Sequence, residues 1–281
     1  MKGIILAGGL GTRLYPLTIS VSKQLLPLFD KPMIYYPLTT LIELGIKDIL
    51  LICKKEDKNL FKKLLNNGSQ WGLKISYEVQ DKPSGIAESF IIGKDFIKND
   101  NVALILGDNI FYGINYHINE FTSGANIFAY KVNDPQRYGV VELKNKTPIK
   151  IVEKPKKPKS NYAVVGLYYY PNNVIEIAKN VKPSKRGELE ITSINSHYMS
   201  VENLNVQILG RGFAWLDTGT VDSINNASNY IRTIEERQGY KIACLEEIAY
   251  LNNFIDENQL VQLIQKLPND YANYLRRLID N

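Results

Sequence analysis

Cysteine and histidine are scarce in this chain, with two of each in 281 residues. Cys53 and Cys244 stand apart in apolar surroundings, which excludes a disulfide framework and a cysteine-built metal site. Both read as small buried hydrophobes. His117 and His197 have no metal-ligand spacing and no acid and nucleophile beside them, so a zinc hydrolase and a histidine-based triad are excluded. Surface or structural roles remain for the two histidines. Long apolar runs are missing too: none approaches the ~20 residues of a membrane-spanning helix. The opening MKGIILAGG has too few apolar residues before its glycines for a signal peptide, and the expected location is cytoplasmic. Charge of one sign is not in excess, since 34 basic residues face 29 acidic ones for a net +5. The dense basic run, KPKKPK at 154–159, is broken by prolines. Neither a nucleic-acid nor a membrane partner is expected.

What is present is the make-up of an ordinary globular protein, 44% hydrophobic and 22% charged. Apolar runs suited to strands recur over 3–6, 46–52, 74–79 and 102–106, with helical patterns between them over 32–45, 55–65 and 84–97. Alternation of this kind implies a mostly parallel sheet with helices on both faces. Pro37 falls inside the first helical pattern, which must kink there or begin late. From about residue 126 the style turns antiparallel, with strands expected over 127–132, 140–143, 149–153, 164–170 and 206–209 and a helix over 187–202. After Thr220 the chain reads as helical, with Thr220 and Asp256 as caps. The expected layout is an α/β core with a small β-rich subdomain over 1–221, and a helical extension over 222–281.

The stretch GIILAGGLGTRLYPLT carries the first chemistry. A strand feeding Gly8, Gly9 and Gly11 suits a phosphate-binding loop, because glycines let backbone N–H groups converge on an anion. Leu14 stands where a dinucleotide loop needs its third glycine, and no Lys-Ser/Thr pair completes a Walker loop. Instead Arg13 supplies a planar, permanently charged donor set, and Lys23 adds a second cation. A plain strand-turn with surface Arg and Lys is the alternative. In ALILGDNI, Asp108 lies just past a buried strand, where open α/β sheets bind ligands. In GFAWLDTGT, Asp217 holds an equivalent place. Each has a local alternative, an Asx-turn with Asn109 for the one and a helix cap for the other. Beside a phosphate loop, the favoured reading is a carboxylate pair for Mg²⁺, which prefers one or two carboxylates plus phosphate oxygens. EKP at 153–155 and RGELEIT at 186–192 add Lys154 and Arg186 as weaker signals.

These motifs, together with SKQLLPLFDKPMIYYPL, RYGVVE and SNYAVVGLYYY, occur in the order found in sugar-nucleotide pyrophosphorylases. The chain resembles that family from residue 2 to near its end, and more narrowly its thymidylyl branch. The resemblance implies a Rossmann-like three-layer nucleotidyltransferase core with a sugar-binding subdomain. It implies transfer from dTTP to α-D-glucose 1-phosphate, with Mg²⁺, giving dTDP-glucose and pyrophosphate at the head of dTDP-deoxysugar synthesis. It assigns Gly8, Gly9, Gly11, Thr12 and Arg13 to the triphosphate and Lys23 to its surroundings. Gln24 and Gln80 would read the base, with Gly85 against it. Asp108 and Asp217 match the metal ligands, and Lys154 and Arg186 the sugar-phosphate contacts. Tyr138, Gly139, Glu153 and Val164 fall where the family meets glucose. Arg13, Lys23 and Lys154 are the residues expected to act in catalysis. The resemblance also implies a homotetramer.

The chemistry fits this reading. A phosphate oxygen is already ionised at neutral pH, so attack needs no general base, and neither histidine is recruited. What is needed is relief of repulsion between two polyanions and in-line geometry. A pyrophosphorylase for UTP or another sugar 1-phosphate, and an inactive sugar-nucleotide binder, are the rivals. The chain departs from the family pattern at Val165, at Ser84, Ile86, Glu88 and Ser89, and at Leu251 and Phe254 in the tail. Family members carry a second nucleotide site near that tail, used in feedback by dTDP-rhamnose, and the last two changes bear on it.

Overall fold

The computed structural model describes residues 1–113 and 123–280; His117 lies outside them. The strands are β1 (Lys2–Ala7), a short ribbon of β2 (Pro27–Leu28) and β3 (Lys31–Pro32), β4 (Asp48–Cys53), β5 (Lys74–Val79), β6 (Val102–Leu106), β7 (Asn109–Tyr112), β8 (Ala125–Lys131), β9 (Gly139–Lys144), β10 (Thr147–Glu153), β11 (Tyr162–Tyr170), β12 (Leu204–Leu209) and β13 (Ala214–Asp217). The helices are α1 (Tyr35–Glu43), α2 (Lys58–Leu65), α3 (Glu88–Ile92), α4 (Lys94–Ile97), α5 (Val174–Lys179), α6 (Ile191–Ser200), α7 (Val221–Gln238), α8 (Leu245–Leu251), α9 (Glu257–Ile264) and α10 (Asn269–Asp280).

One mixed sheet organises the molecule. β5, β4, β1 and β6 run parallel side by side. β11 then pairs antiparallel with β6 on one edge and with β8 on the other, and β12 closes that end parallel to β8. The β9–β10 hairpin branches from β11 at Ala163, opposite Val140. The central strands read as unbroken apolar runs because both faces are covered. Their period of two splits the core cleanly. Ile5, Leu51, Ile105 and Leu167 pack on one face, and Ile4, Leu50, Leu104 and Tyr168 on the other.

Several sequence expectations shift at their edges. α1 begins at Tyr35, so Pro37 sits in the first turn, where its missing N–H costs no helical bond. The pattern over 84–97 yields two short helices, with Gly93 ending α3 and opening α4. The helix expected from 187 starts at Ile191, because the segment before it is held extended. Leu189 donates its N–H to Ser84 O at 2.6 Å and accepts from Ala87 N–H at 3.0 Å. Thr220 and Asp256 both form capping boxes at the starts of α7 and α9. The strand-like stretch ending at Asp217 forms β13, but its four-residue partner β7 was not legible in the sequence, and the pair matters most for the site, since it sets Asp217 opposite Asn109.

The C-terminal helices share the core of the first half. Leu245, Ala249, Leu260, Ile264 and Leu275 join one cluster with Leu38, Leu41, Phe61 and Trp71. Trp71 Nε1 donates to Glu246 Oε1 at 3.1 Å. Of the two departures in the tail, Leu251 is 60% exposed, whereas Phe254 carries the Lys47 ammonium 4.3 Å above its ring.

Both cysteines are buried and free. Burial pushes the Cys53 thiol up to about 12, and burial together with the nearby Glu246 carboxylate raises that of Cys244 as well. Neither forms thiolate at mildly alkaline pH. A thiol-reactive dye should therefore label neither cysteine in the native protein and both in denaturant. Rapid labelling of the native chain would contradict this burial.

Candidate active site

Residues far apart in the chain meet at the carboxyl ends of β1 and β6, at the end of β13, and along the β9–β11 branch. A cavity of about 380 Å³ opens there. Eight residues singled out from the sequence line it: Arg13, Asp108, Tyr138, Gly139, Glu153, Lys154, Val164 and Asp217.

Two carboxylates dominate its electrostatics. Asp108, just beyond β6, accepts from Lys23 Nζ at 2.7 Å and from Asn109 Nδ2 at 2.8 Å. Lys23 is only 7% exposed, so its charge depends on this partner. Burial works against ionisation of Asp108, but the Lys23 ammonium outweighs it and holds the carboxyl below its ordinary range. Asp217, the last residue of β13, accepts from Arg137 Nη2 at 2.7 Å and from Tyr138 OH at 2.8 Å. Here burial wins: aided by the charge of Asp108, it keeps the Asp217 carboxyl above its usual range against the pull of Tyr138 and Arg137. Arg13 stands close by, since a Cβ on Gly219 would lie 3.2 Å from both Arg13 Nη2 and Asp217 Oδ2.

The glycine loop leads into this region. Gly8 and Gly9 leave β1, Gly11 takes a left-handed turn at φ 65°, and Thr12–Leu14 form a 3₁₀ turn anchored by buried Leu14. Gln80 reaches over from the end of β5. A Cβ on Gly8 would sit 2.3 Å from Gln80 Oε1, so a larger residue there would displace the Gln80 amide. Gln80 Nε2 donates to Glu88 Oε2 at 2.8 Å and to Gly85 O at 3.2 Å. Gly85, at φ 108°, is pressed against Leu189, whose carbonyl oxygen would be 2.4 Å from an added Cβ. Gln24 is buried, and its Oε1 accepts from Ser22 Oγ at 2.7 Å. None of Gly8, Gly9, Gly11, Thr12, Gln24, Gln80 and Gly85 lines the cavity itself; they form the strand-end shelf beside it.

The β-rich side supplies the rest. Lys154 follows β10 in a left-handed conformation, φ 42°, and donates its N–H to Tyr138 O at 3.0 Å. Its ammonium is free to reach the cavity, 3.9 Å from Glu153 Oε1. Glu153 Oε2 accepts from Thr192 Oγ1 at 2.5 Å. Arg186, like Lys23 and the loop and base-side residues, does not line the cavity. It sits in the turn before α6, paired with Glu153 at 3.4 Å, Glu188 at 3.2 Å and Glu190 at 2.9 Å. His197, exposed on α6, takes no part.

Sequence reasoning missed Arg137, Asn109, Thr192 and Trp215. Arg137 stood in the quoted RYGVVE, and its charge beside Tyr138 was the available signal. Asn109 Oδ1 accepts from Trp215 Nε1 at 2.7 Å and Gly166 N–H at 3.1 Å, tying β7, β13 and β11 together beneath the acids. No local pattern announces that bond.

Comparison with known proteins identifies the family. The family model for nucleotidyl transferases matches residues 2–234. The chain belongs to that family. It is 54% identical to a glucose-1-phosphate thymidylyltransferase of Neisseria meningitidis serogroup A, over 99% of each chain. It is 53% identical to one of Mycolicibacterium smegmatis, over 100% of this chain and 99% of the other. These full-length relatives place it among the glucose-1-phosphate thymidylyltransferases, so this family member is an enzyme, a nucleotidyltransferase. A crystal structure of a candidate glucose-1-phosphate thymidylyltransferase from Bacillus anthracis, with sucrose bound, superposes with a TM-score of 0.78 at 43% identity. It covers 83% of this chain and 95% of that one. A UDP-glucose pyrophosphorylase shares the fold at 23% identity and a TM-score of 0.72, over 83% of this chain and 98% of that one.

The Lys23–Asp108 pair makes a stability prediction for this nucleotidyltransferase. Asp108→Asn leaves a buried ammonium without its counter-charge and should cost at most about 3–5 kcal/mol, the scale for a fully buried pair, with the 30% exposure of the Asp108 side chain reducing it. Adding Lys23→Met should recover much of that loss, because the two side chains are coupled. Urea melts of both variants check this; an Asp108→Asn midpoint equal to the wild type would contradict it.

Proposed function

We propose that this chain transfers a thymidylyl group from dTTP to α-D-glucose 1-phosphate, releasing pyrophosphate and forming dTDP-glucose for dTDP-deoxysugar synthesis. The observation that carries the reading is the convergence on one cavity of Arg13, two strand-end carboxylates, and Lys154 beside the hydrogen-bonded Glu153–Thr192 pair.

A divalent cation fits the donor set. Asp108 and Asp217 offer hard oxygens, and each carboxylate oxygen that already accepts one bond keeps further lone-pair capacity. Burial above all, with a smaller contribution from the Asp108 charge, raises the Asp217 carboxyl, a cost of ionisation that a bound cation would offset. Among the described residues no group of three or more His, Cys, Asp or Glu could hold a metal ion, so the protein supplies two ligands and leaves the rest to phosphate and water, the usual arrangement for Mg²⁺. When bound, Mg²⁺ would neutralise phosphate charge and orient the triphosphate.

The chain's own groups account for the remaining work. The loop N–H groups and Arg13 receive the triphosphate, and Gln80 and Gln24 lie where a base would stack on the shelf. Lys154 brings positive charge to the sugar phosphate. An ionised phosphate oxygen attacks the α-phosphorus directly, and pyrophosphate departs against Arg13 and Lys23. No proton has to be removed. We propose further that the chain assembles as a homotetramer, which light scattering would read as four times 32.0 kDa.

Two measurements test this reading. Purified protein with glucose 1-phosphate and Mg²⁺ should release pyrophosphate faster from dTTP than from UTP. The ratio should not exceed roughly 200-fold, since one methyl contact is worth about 1–3 kcal/mol. EDTA should abolish turnover, and a preference for UTP would assign the enzyme a different nucleotide. Arg13→Ala should lower kcat by roughly 10²–10³, the scale of losing one preorganised charge donor. An unchanged kcat would remove Arg13 from the chemistry.

A further inference from the structure

Two glutamines border the end of β1 from opposite sides. Gln80, at the end of β5, reaches past β4 and lays its Oε1 against Gly8. Gln24 lies on the β6 side, where a Cβ on Gly107 would meet its Cγ at 3.0 Å. Gly107 follows β6 and donates its N–H to Leu6 O at 2.9 Å, so Gly8 and Gly107 close neighbouring strand ends. Between the amides these two residues contribute backbone and no side chain. Each glutamine is 4% exposed and keeps one unpaired end, Oε1 of Gln80 and Nε2 of Gln24. Neither end is among the polar atoms sealed in the interior without a partner, so solvent reaches both.

The two amides differ in what fixes them. A primary amide can turn over, exchanging its carbonyl oxygen for its NH₂. Gln24 bonds Ser22 Oγ at 2.7 Å, and a hydroxyl accepts as well as donates, so Ser22 supports either orientation. Gln80 faces Glu88 Oε2 at 2.8 Å and Gly85 O at 3.2 Å. A carboxylate and a carbonyl only accept, so the NH₂ must face them and the carbonyl oxygen must face away. The carboxylate is the stronger anchor, being closer and charged. Among the described residues, the Glu88 carboxylate bonds no side chain but that of Gln80 and pairs with no cation.

We propose that Glu88 is a positioning residue for the nucleotide base. It locks Gln80 with its carbonyl oxygen toward the base, which accepts the N3–H of thymine or uracil. The bare N3 of cytosine would meet that oxygen lone pair to lone pair, leaving two acceptors unpaired. Gln24, able to turn, adapts to either pyrimidine. Discrimination between them therefore resides in Gln80 and is set by Glu88. This role rests on the reading of the shelf as the base site.

Calorimetric titration with dTTP, UTP and dCTP in the presence of Mg²⁺ tests it without turnover. Wild type should bind dTTP and UTP more tightly than dCTP. Glu88→Gln is nearly isosteric, and its own amide can accept from Gln80 or donate to it, so both orientations of Gln80 gain support. The dTTP to dCTP affinity ratio should fall roughly tenfold, the scale of one hydrogen bond to a charged group. The dTTP to UTP ratio and the KM for glucose 1-phosphate should stay at wild-type values. Gln80→Met, which removes the acceptor, should lower the dTTP to dCTP ratio as well. If it does, an unchanged ratio in Glu88→Gln, or all three nucleotides weakening by one factor, would overturn the role of Glu88 and leave the base site standing. An unchanged ratio in Gln80→Met would overturn the base site, and the role of Glu88 with it.

Discussion

The site depends on charge balance at the ends of two strands. Asp108 lies close enough to add to the cost of ionising Asp217, and each acid is held by a cation from elsewhere in the chain. Lys23 serves the first from 85 residues away, and Arg137 the second from 80 residues away. Without those cations, two partly buried carboxylates in one cavity would protonate or separate. With them, the cavity keeps fixed negative oxygens beside fixed positive groups, an arrangement suited to gripping a metal-bound polyphosphate without reorganising.

The fold supplies the frame for that balance. The parallel half of the sheet brings the glycine loop and Asp108 to a common edge, because adjacent parallel strands end on the same side. The antiparallel half delivers Glu153, Lys154, Tyr138 and Gly139 from the β9–β10 hairpin. Asn109 is the joint between the halves. Through its one carbonyl oxygen it binds the backbone of β11 and the indole of β13, while its amide steadies Asp108. The same few atoms thus link the parallel half, the antiparallel half and the carboxylate pair.

Much of this was legible in the sequence, and the limits have physical causes. Unbroken apolar runs announced the central strands, and Thr220 and Asp256 marked two helix starts through their capping chemistry. Asp108 and Asp217 were readable because an acid directly after a buried strand is rarely idle. β7 was hidden because it has four residues, too few for a period to show. The late start of α6 was hidden because Leu189 is held by a tertiary pairing with residues 84–87, which overrides helical propensity. Arg137 illustrates a third limit. A single cation gains its meaning only from the carboxylate it meets across the fold, and sequence spacing carries no trace of that meeting. Arg186 shows the converse, since three neighbouring carboxylates hold it away from the cavity in this structure.

The central claim is that fixed charges bring two phosphates together for one direct displacement, with no side chain becoming covalently attached. The stereochemistry at phosphorus tests it most directly. With the dTTP analogue chiral at its α-phosphorus through a sulfur substitution, a single in-line attack predicts inverted configuration in the dTDP-sugar product. Retention would mean two displacements and a nucleotidylated enzyme, and would contradict the account.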